Sequence, residues 1–142
     1  MNGEKVFVDT NVLVYAYDAD AGPKHEVALE LVAKLWQQPA LVCLSVQVLQ
    51  EFYVNAVRKG IKPAEARAAV EDLLSWKVIG QDSMLLRDGL DLRDRWQISL
   101  WDAMIVAAAM RAGATTLLSE DLSEKQDYGG VLVRNPFTSQ IS

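Results

Sequence analysis

The chain has 142 residues, 51% hydrophobic and 23% charged, with a formal net charge of −5. That suits one domain, residues 1–142, with an ordinary core. The acidic balance argues against tight non-specific nucleic-acid binding, which rests on Lys and Arg neutralising phosphates, although an acidic pocket changes sign locally once a cation enters it. No apolar run approaches the roughly 20 residues of a membrane span. The stretch Met1 to Asp9 is too briefly apolar for a signal peptide. Cys43 is the only cysteine, so no intrachain disulfide forms and a reducing cytoplasm is expected. Cys43 is expected to pack as a small hydrophobe. His25 is the only histidine, which argues against a His-based metal site.

Apolar runs alternate with helical patterns along the chain. Lys5 to Val8 reads as a short buried strand, and Thr10 to Tyr17 as a short helix with Val12, Leu13 and Tyr17 inward. Asp18 to Gly22 is a loop, and Pro23 suits the first turn of the next helix. That helix places Val27, Ala28, Leu31, Val32, Leu35 and Trp36 at i, i+3, i+4 spacing until Pro39 stops it. Leu41 to Leu44 is a second strand. Ser45 then caps a helix that runs to about Lys59 and closes at Gly60. Pro63 opens another helix, through Leu73 and Leu74 to Trp76, followed by a short strand at Lys77 to Ile79. A helix from Met84 to Trp96 comes next. Ser99 and Asp102 form a capping box for a largely apolar helix that Gly113 ends. Thr115 to Leu118 and Val131 to Val133 are the last strands. Such alternation implies an α/β domain with a mostly parallel sheet and helices on both faces.

Four acids stand out against this pattern. Asp9 and Asp121 follow strands, while Glu51 and Asp102 lie within the first two turns of helices. In open parallel sheets all of these positions belong to one edge, beyond the carboxyl ends of the strands. Two carboxylates about 4 Å apart repel by about 4 kcal/mol at an effective dielectric near 20. A divalent cation is the simplest neutraliser, and it points to metal-dependent chemistry on a phosphate ester. Mg²⁺ prefers hard oxygen ligands and retains waters, which suits an all-carboxylate site.

Each acid also has a plain structural reading. Asp9 suits an N-cap, Asp102 a capping-box partner of Ser99, and Asp121 a turn after Ser119. Glu51 can sit at the border of its helix's apolar stripe and reach water. Asp127 is a neighbouring candidate for the place of Asp121. Basic residues group at Arg58, Lys59, Lys62 and Arg67 and at Arg87, Arg93 and Arg95, and the simplest reading of both groups is a solvated helix face. The tryptophans, Trp36, Trp76, Trp96 and Trp101, are candidate interface aromatics, although most are expected in the core.

Taken together, Val6-Phe7-Val8-Asp9-Thr10-Asn11-Val12-Leu13, Ser45 to Glu51, Leu100-Trp101-Asp102-Ala103 and Leu117-Leu118-Ser119-Glu120-Asp121-Leu122 resemble the PIN-domain nucleases. They are most similar to the toxin ribonucleases of toxin–antitoxin pairs, the VapC type. Gly129 to Phe137 looks like the usual end of one branch of these toxins. The resemblance covers nearly the whole chain. It implies a three-layer α/β/α fold around a five-stranded, mostly parallel sheet. It implies that Asp9, Glu51, Asp102 and Asp121 bind one or two Mg²⁺ or Mn²⁺ ions, with Asn11 and Ser119 orienting them. The implied reaction is endonucleolytic hydrolysis of RNA, leaving a 5′-phosphate and a 3′-hydroxyl. The implied partners are an RNA substrate, a small antitoxin protein and a second copy of the chain in a homodimer, with no membrane involved.

Other readings make different demands. A haloacid-dehalogenase-like phosphatase needs Asp-x-Asp after the first strand, and Asn11 stands at the second of those positions. A receiver-type signalling domain needs an acidic pair before its acceptor strand, whereas this chain begins with Asp9 itself. A catalytically inactive PIN-like binding module would have little reason to retain four acids.

Overall fold

The computed structural model describes residues 3–138. Its centre is β1 (Val6–Val8), whose three side chains are all buried. A strand covered on both faces reads as a continuous apolar run rather than an alternation. On one side lie β2 (Val42–Ser45) and then β3 (Lys77–Ile79); on the other lie β4 (Thr116–Leu118) and then β5 (Leu132–Arg134). The sheet order is β3-β2-β1-β4-β5, and all four pairings are parallel. Both edge strands are short and carry an exposed cation, Lys77 or Arg134, which discourages further strand pairing.

Parallel neighbours need crossovers, and crossovers are right-handed. The chain first moves from β1 to β2 to β3 through α1 (Thr10–Tyr17), α2 (Pro23–Trp36), α3 (Val46–Arg58) and α4 (Pro63–Leu73). These four helices therefore cover one face. It then returns from β3 to β4 through α5 (Ser83–Trp96) and α6 (Leu100–Ala112), which cover the other. Helix α6 packs on β1, β2 and β3 as well as on α5. That position explains why its body, Ala103 to Ala109, is wholly buried. The result is the expected α/β architecture, with helices on both sides of a parallel sheet.

Several details differ from the sequence pattern. Helix α4 ends at Leu73, and Trp76 enters the core from the turn beyond it. Tyr17, expected inward, and Val27 and Trp36, placed on the apolar stripe of their helix, are exposed. Helical periodicity locates an apolar stripe but not how much of its width the neighbouring elements cover. Cys43 is buried in β2, as expected of a small hydrophobe.

Candidate functional site

The connections leave β1 and β4 in opposite directions across the sheet, so the carboxyl ends of these adjacent strands form a topological switch point, where α/β sheets open a crevice. Asp9 follows β1 and Ser119 follows β4 at that point. The Asp9 amide donates to Leu118 O at 2.9 Å, which fixes the two ends side by side. Asp9 is buried, at 6% exposure, and caps α1 by accepting from Thr10 N at 2.7 Å. The cap uses only one oxygen. The other accepts from Ser119 Oγ at 2.7 Å and from Asn11 Nδ2 at 3.4 Å.

Ser119 and Asn11 tie the β4 loop to this carboxylate. Ser119 Oγ accepts from the amides of Asp121 at 3.2 Å and Leu122 at 3.3 Å. Asn11 Oδ1 accepts from Glu120 N at 3.1 Å, and Asn11 Nδ2 also donates to Asp121 Oδ2 at 3.1 Å. Glu51 comes from the second turn of α3, and its Oε1 accepts from Thr10 Oγ1 at 3.2 Å. Asp102 lies in the first turn of α6, where its amide donates to Ser99 Oγ at 3.1 Å, one half of the expected capping box.

All four acids line one open cleft of about 260 Å³, together with Asn11. Ser119 is fully buried beneath it. Asp127 is not among the lining residues. Its Oδ1 accepts from Gly130 N at 2.6 Å in the turn before β5. Arg58 and Lys59, at the end of α3, line the cleft as well, whereas Lys62, Arg67 and the Arg87, Arg93 and Arg95 group do not.

The charges interact. Burial pushes the Asp9 carboxyl up to about 6; hydrogen bonds from Ser119 and Thr10 pull it down, while the charges of Asp121 and Glu51 push it further up. Burial also raises Asp102, which Ser99 opposes and Asp121 reinforces. Among the described residues, no three His, Cys, Asp or Glu side chains close into a ready-made metal cage. The donors are nonetheless all hard oxygens, in a cleft where burial disfavours the charge of Asp9 and Asp102. Such a set fits a hydrated cation held by one or two carboxylates, the habit of Mg²⁺, better than a dehydrated ion.

Three participants carried little signal in the sequence. Gln47 is buried, lines the cleft and donates from Nε2 to Trp101 O at 3.3 Å, joining α3 to the start of α6 across the sheet edge. Its signal was a polar residue in an apolar stripe, one helical turn before Glu51. Glu120 accepts from Tyr15 OH at 2.8 Å and pairs with Lys24, which braces the loop that carries Asp121. Trp101, one of four tryptophans of which most were expected in the core, is 69% exposed on the cleft.

Known proteins share this fold. Chains that match include one in a structure of FitAB bound to an IR36 DNA fragment, with a TM-score of 0.70 and 17% identity, covering 96% of this chain and 98% of that one. A DNA-bound VapBC from Salmonella typhimurium gives a TM-score of 0.68 at 18% identity, covering 94% of this chain and 98% of that one. Mycobacterium tuberculosis VapC20, described as a sarcin-ricin loop cleaving toxin, gives 0.63 at 23% identity, covering 80% of this chain and 87% of that one. At such identities the likeness establishes the fold. No curated protein matches the sequence. The family model of the PIN domain matches residues 6–124, from the first strand through the loop after the fourth, and the chain belongs to that family.

Proposed function

We propose that the protein is a metal-dependent endoribonuclease and acts as the toxin of a toxin–antitoxin pair. The observation that carries this reading is the arrival of Asp9, Glu51, Asp102 and Asp121 from separate segments on one cleft, with Asp9 and Asp102 raised above the usual carboxylate range. Membership of the PIN-domain family supports the nuclease class. Similarity to chains from VapBC and other toxin–antitoxin complexes supports the toxin role and an antitoxin partner. A homodimer and a cytoplasmic setting belong to the same proposal. No described helix is long and apolar enough to cross a membrane.

Asp9 and Asp102 would be the main holders of Mg²⁺ or Mn²⁺, with Glu51 either a further ligand or the residue that orients the attacking water. Asp121 would complete the acidic set from the β4 loop. A bound cation would supply charge neutralisation and a water of lowered pKa. Asn11 and Ser119 hold Asp9 in one orientation, so the carboxylate needs no reorganisation when substrate arrives. Arg58 and Lys59 are placed to meet backbone phosphates on the same cleft. In the reaction, the water oxygen bonds to phosphorus and the P–O3′ bond breaks. The 3′ oxygen takes up a proton and leaves as a hydroxyl, and the new end is a 5′-phosphate. The phosphatase alternative lacks its second Asp, because Asn11 occupies that position and commits its amide to Asp9 and Asp121.

The test is cleavage of a mixed RNA pool by folded protein free of any antitoxin, with Mg²⁺, Mn²⁺ or EDTA. Asp9→Asn and Asp102→Asn are run alongside. The expected result is cutting that needs metal and that both variants lose. Absence of cutting with every metal would sink the nuclease reading in favour of an inactive binding module.

A further inference from the structure

Among the described residues, no aromatic ring or cation packs on the ring of Trp101. It is 69% exposed, against 3% for Trp76 and 36% for Trp36. A tryptophan ring left in water forgoes the burial that ordinarily makes it favourable. Trp101 stands in the first turn of α6, one residue before Asp102, and lines the same cleft as the acids. Its backbone is anchored, because its carbonyl accepts the hydrogen bond from buried Gln47. The ring therefore projects from a fixed point.

Its surroundings indicate what it meets. Among the described residues, the other exposed large hydrophobics, such as Tyr53, Leu74, Met84 and Leu90, do not line this cleft. The cleft's other apolar lining, Val14, Tyr15 and Ile105, is buried or half-buried, so Trp101 is one exposed ring among carboxylates, amides and the Arg58–Lys59 pair, a poor protein-docking patch, which needs contiguous apolar surface. An aromatic beside cations in a cleft is how proteins hold single-stranded nucleic acid: the base stacks on the ring and the backbone runs along the positive groups.

We infer that Trp101 is a base-stacking residue, which holds one unpaired base of an RNA strand beside the phosphodiester presented to the acids. The inference rests on the nuclease reading and adds to it a residue that selects unpaired over duplexed RNA. Stacking needs a free base face, so a base held in a helix cannot use the ring.

The test uses the whole protein with Ca²⁺ in place of Mg²⁺ and short, fluorescently labelled single-stranded RNAs, including one with abasic sites. Binding is read by anisotropy and the ring by quenching of tryptophan emission. Trp101→Ala should weaken binding of the base-bearing strand about ten- to a hundredfold and leave the abasic strand unaffected. Trp101→Phe, which keeps a stackable ring, should retain most of the affinity while losing the quenching. Unchanged affinity in Trp101→Ala would overturn the inference and leave the nuclease reading standing if that variant still cuts RNA. Equal loss on both strands would overturn it too, by marking a structural role. So would a change in oligomeric state by sedimentation without a change in RNA affinity, which would make Trp101 a protein contact. Failure of the unsubstituted protein to bind or cut any RNA would overturn both readings together.

Discussion

Asp9 carries two loads at once: it caps α1, and it lies buried among like charges. The cap and the bond from Ser119 favour its ionised form, but burial outweighs them, and the carboxyl rises from 3.8 to about 6. A carboxyl raised in the folded state binds a proton there more tightly than in the unfolded chain. Metal-free stability therefore increases as pH falls through about 6 and stops gaining from this group near 3.8. Above pH 6 the charge is a standing penalty. Asp9→Asn, which keeps the shape and removes the charge, is expected to stabilise the metal-free protein by about 1–3 kcal/mol at pH 7.5. The gain should vanish near pH 4. Urea unfolding of both proteins in EDTA across that range would measure it, and a variant less stable at pH 7.5 would contradict the account. The acids were legible in the sequence because carboxylates at strand ends are conspicuous against apolar runs. Trp101 and Gln47 were not, because their importance is a departure from type: an apolar ring left in water and an amide taken out of it. Neither departure leaves a local pattern.

At the scale of elements, Asp102 owes its position to the packing of α6 on α5. The two helices cross closely at Gly89, where an added Cβ would fall 2.3 Å from Met104 Sδ and 3.7 Å from Met104 Cα. The thioether can swing aside, but Met104 is nearly buried and has little room to go. Gly89→Ala is expected to destabilise by about 1–2 kcal/mol, because overpacking outweighs the gain in helix propensity. Met104→Ala destabilises by itself, but in its presence Gly89→Ala should cost less, and a double-mutant cycle in thermal unfolding would measure the coupling. Additive effects would mean that the two residues do not meet. Only the partner helix gives Gly89 a purpose within the helical run of α5. Element order, by contrast, was readable throughout. Each strand is a short, largely apolar run, and helix starts were marked by Asp9, Pro23, Ser45, Pro63 and Ser99, whereas the Asp82 cap of α5 emerged only in the structure. What failed was side-chain placement at stripe borders, as at Tyr17 and Trp36, where the covering neighbour decides.

Across the whole molecule, an acidic chain with a net charge of −5 is proposed to bind a polyanion. The resolution lies in where the few useful cations sit. Arg58 and Lys59 line the cleft, but Lys59 already meets Asp18 at 3.5 Å, and the remaining basic side chains lie elsewhere. Two cations release few counterions, so electrostatics alone gives this surface little affinity, and recognition must come from the cleft, its cation and the exposed ring. The salt dependence of binding counts the contacts. For a single strand, the slope of log K against log salt is about −0.7 per phosphate neutralised, so two contacts predict about −1.4. Anisotropy titrations of labelled single-stranded RNA with Ca²⁺ held constant would give the slope. Lys59→Ala should reduce it to about −0.7 and weaken binding to all strands alike. A slope steeper than about −4 would contradict this placement, because the RNA would then have to run over a broader basic surface, such as the exposed Arg87, Arg93 and Arg95 on α5, on the opposite side of the sheet from Arg58 and Lys59.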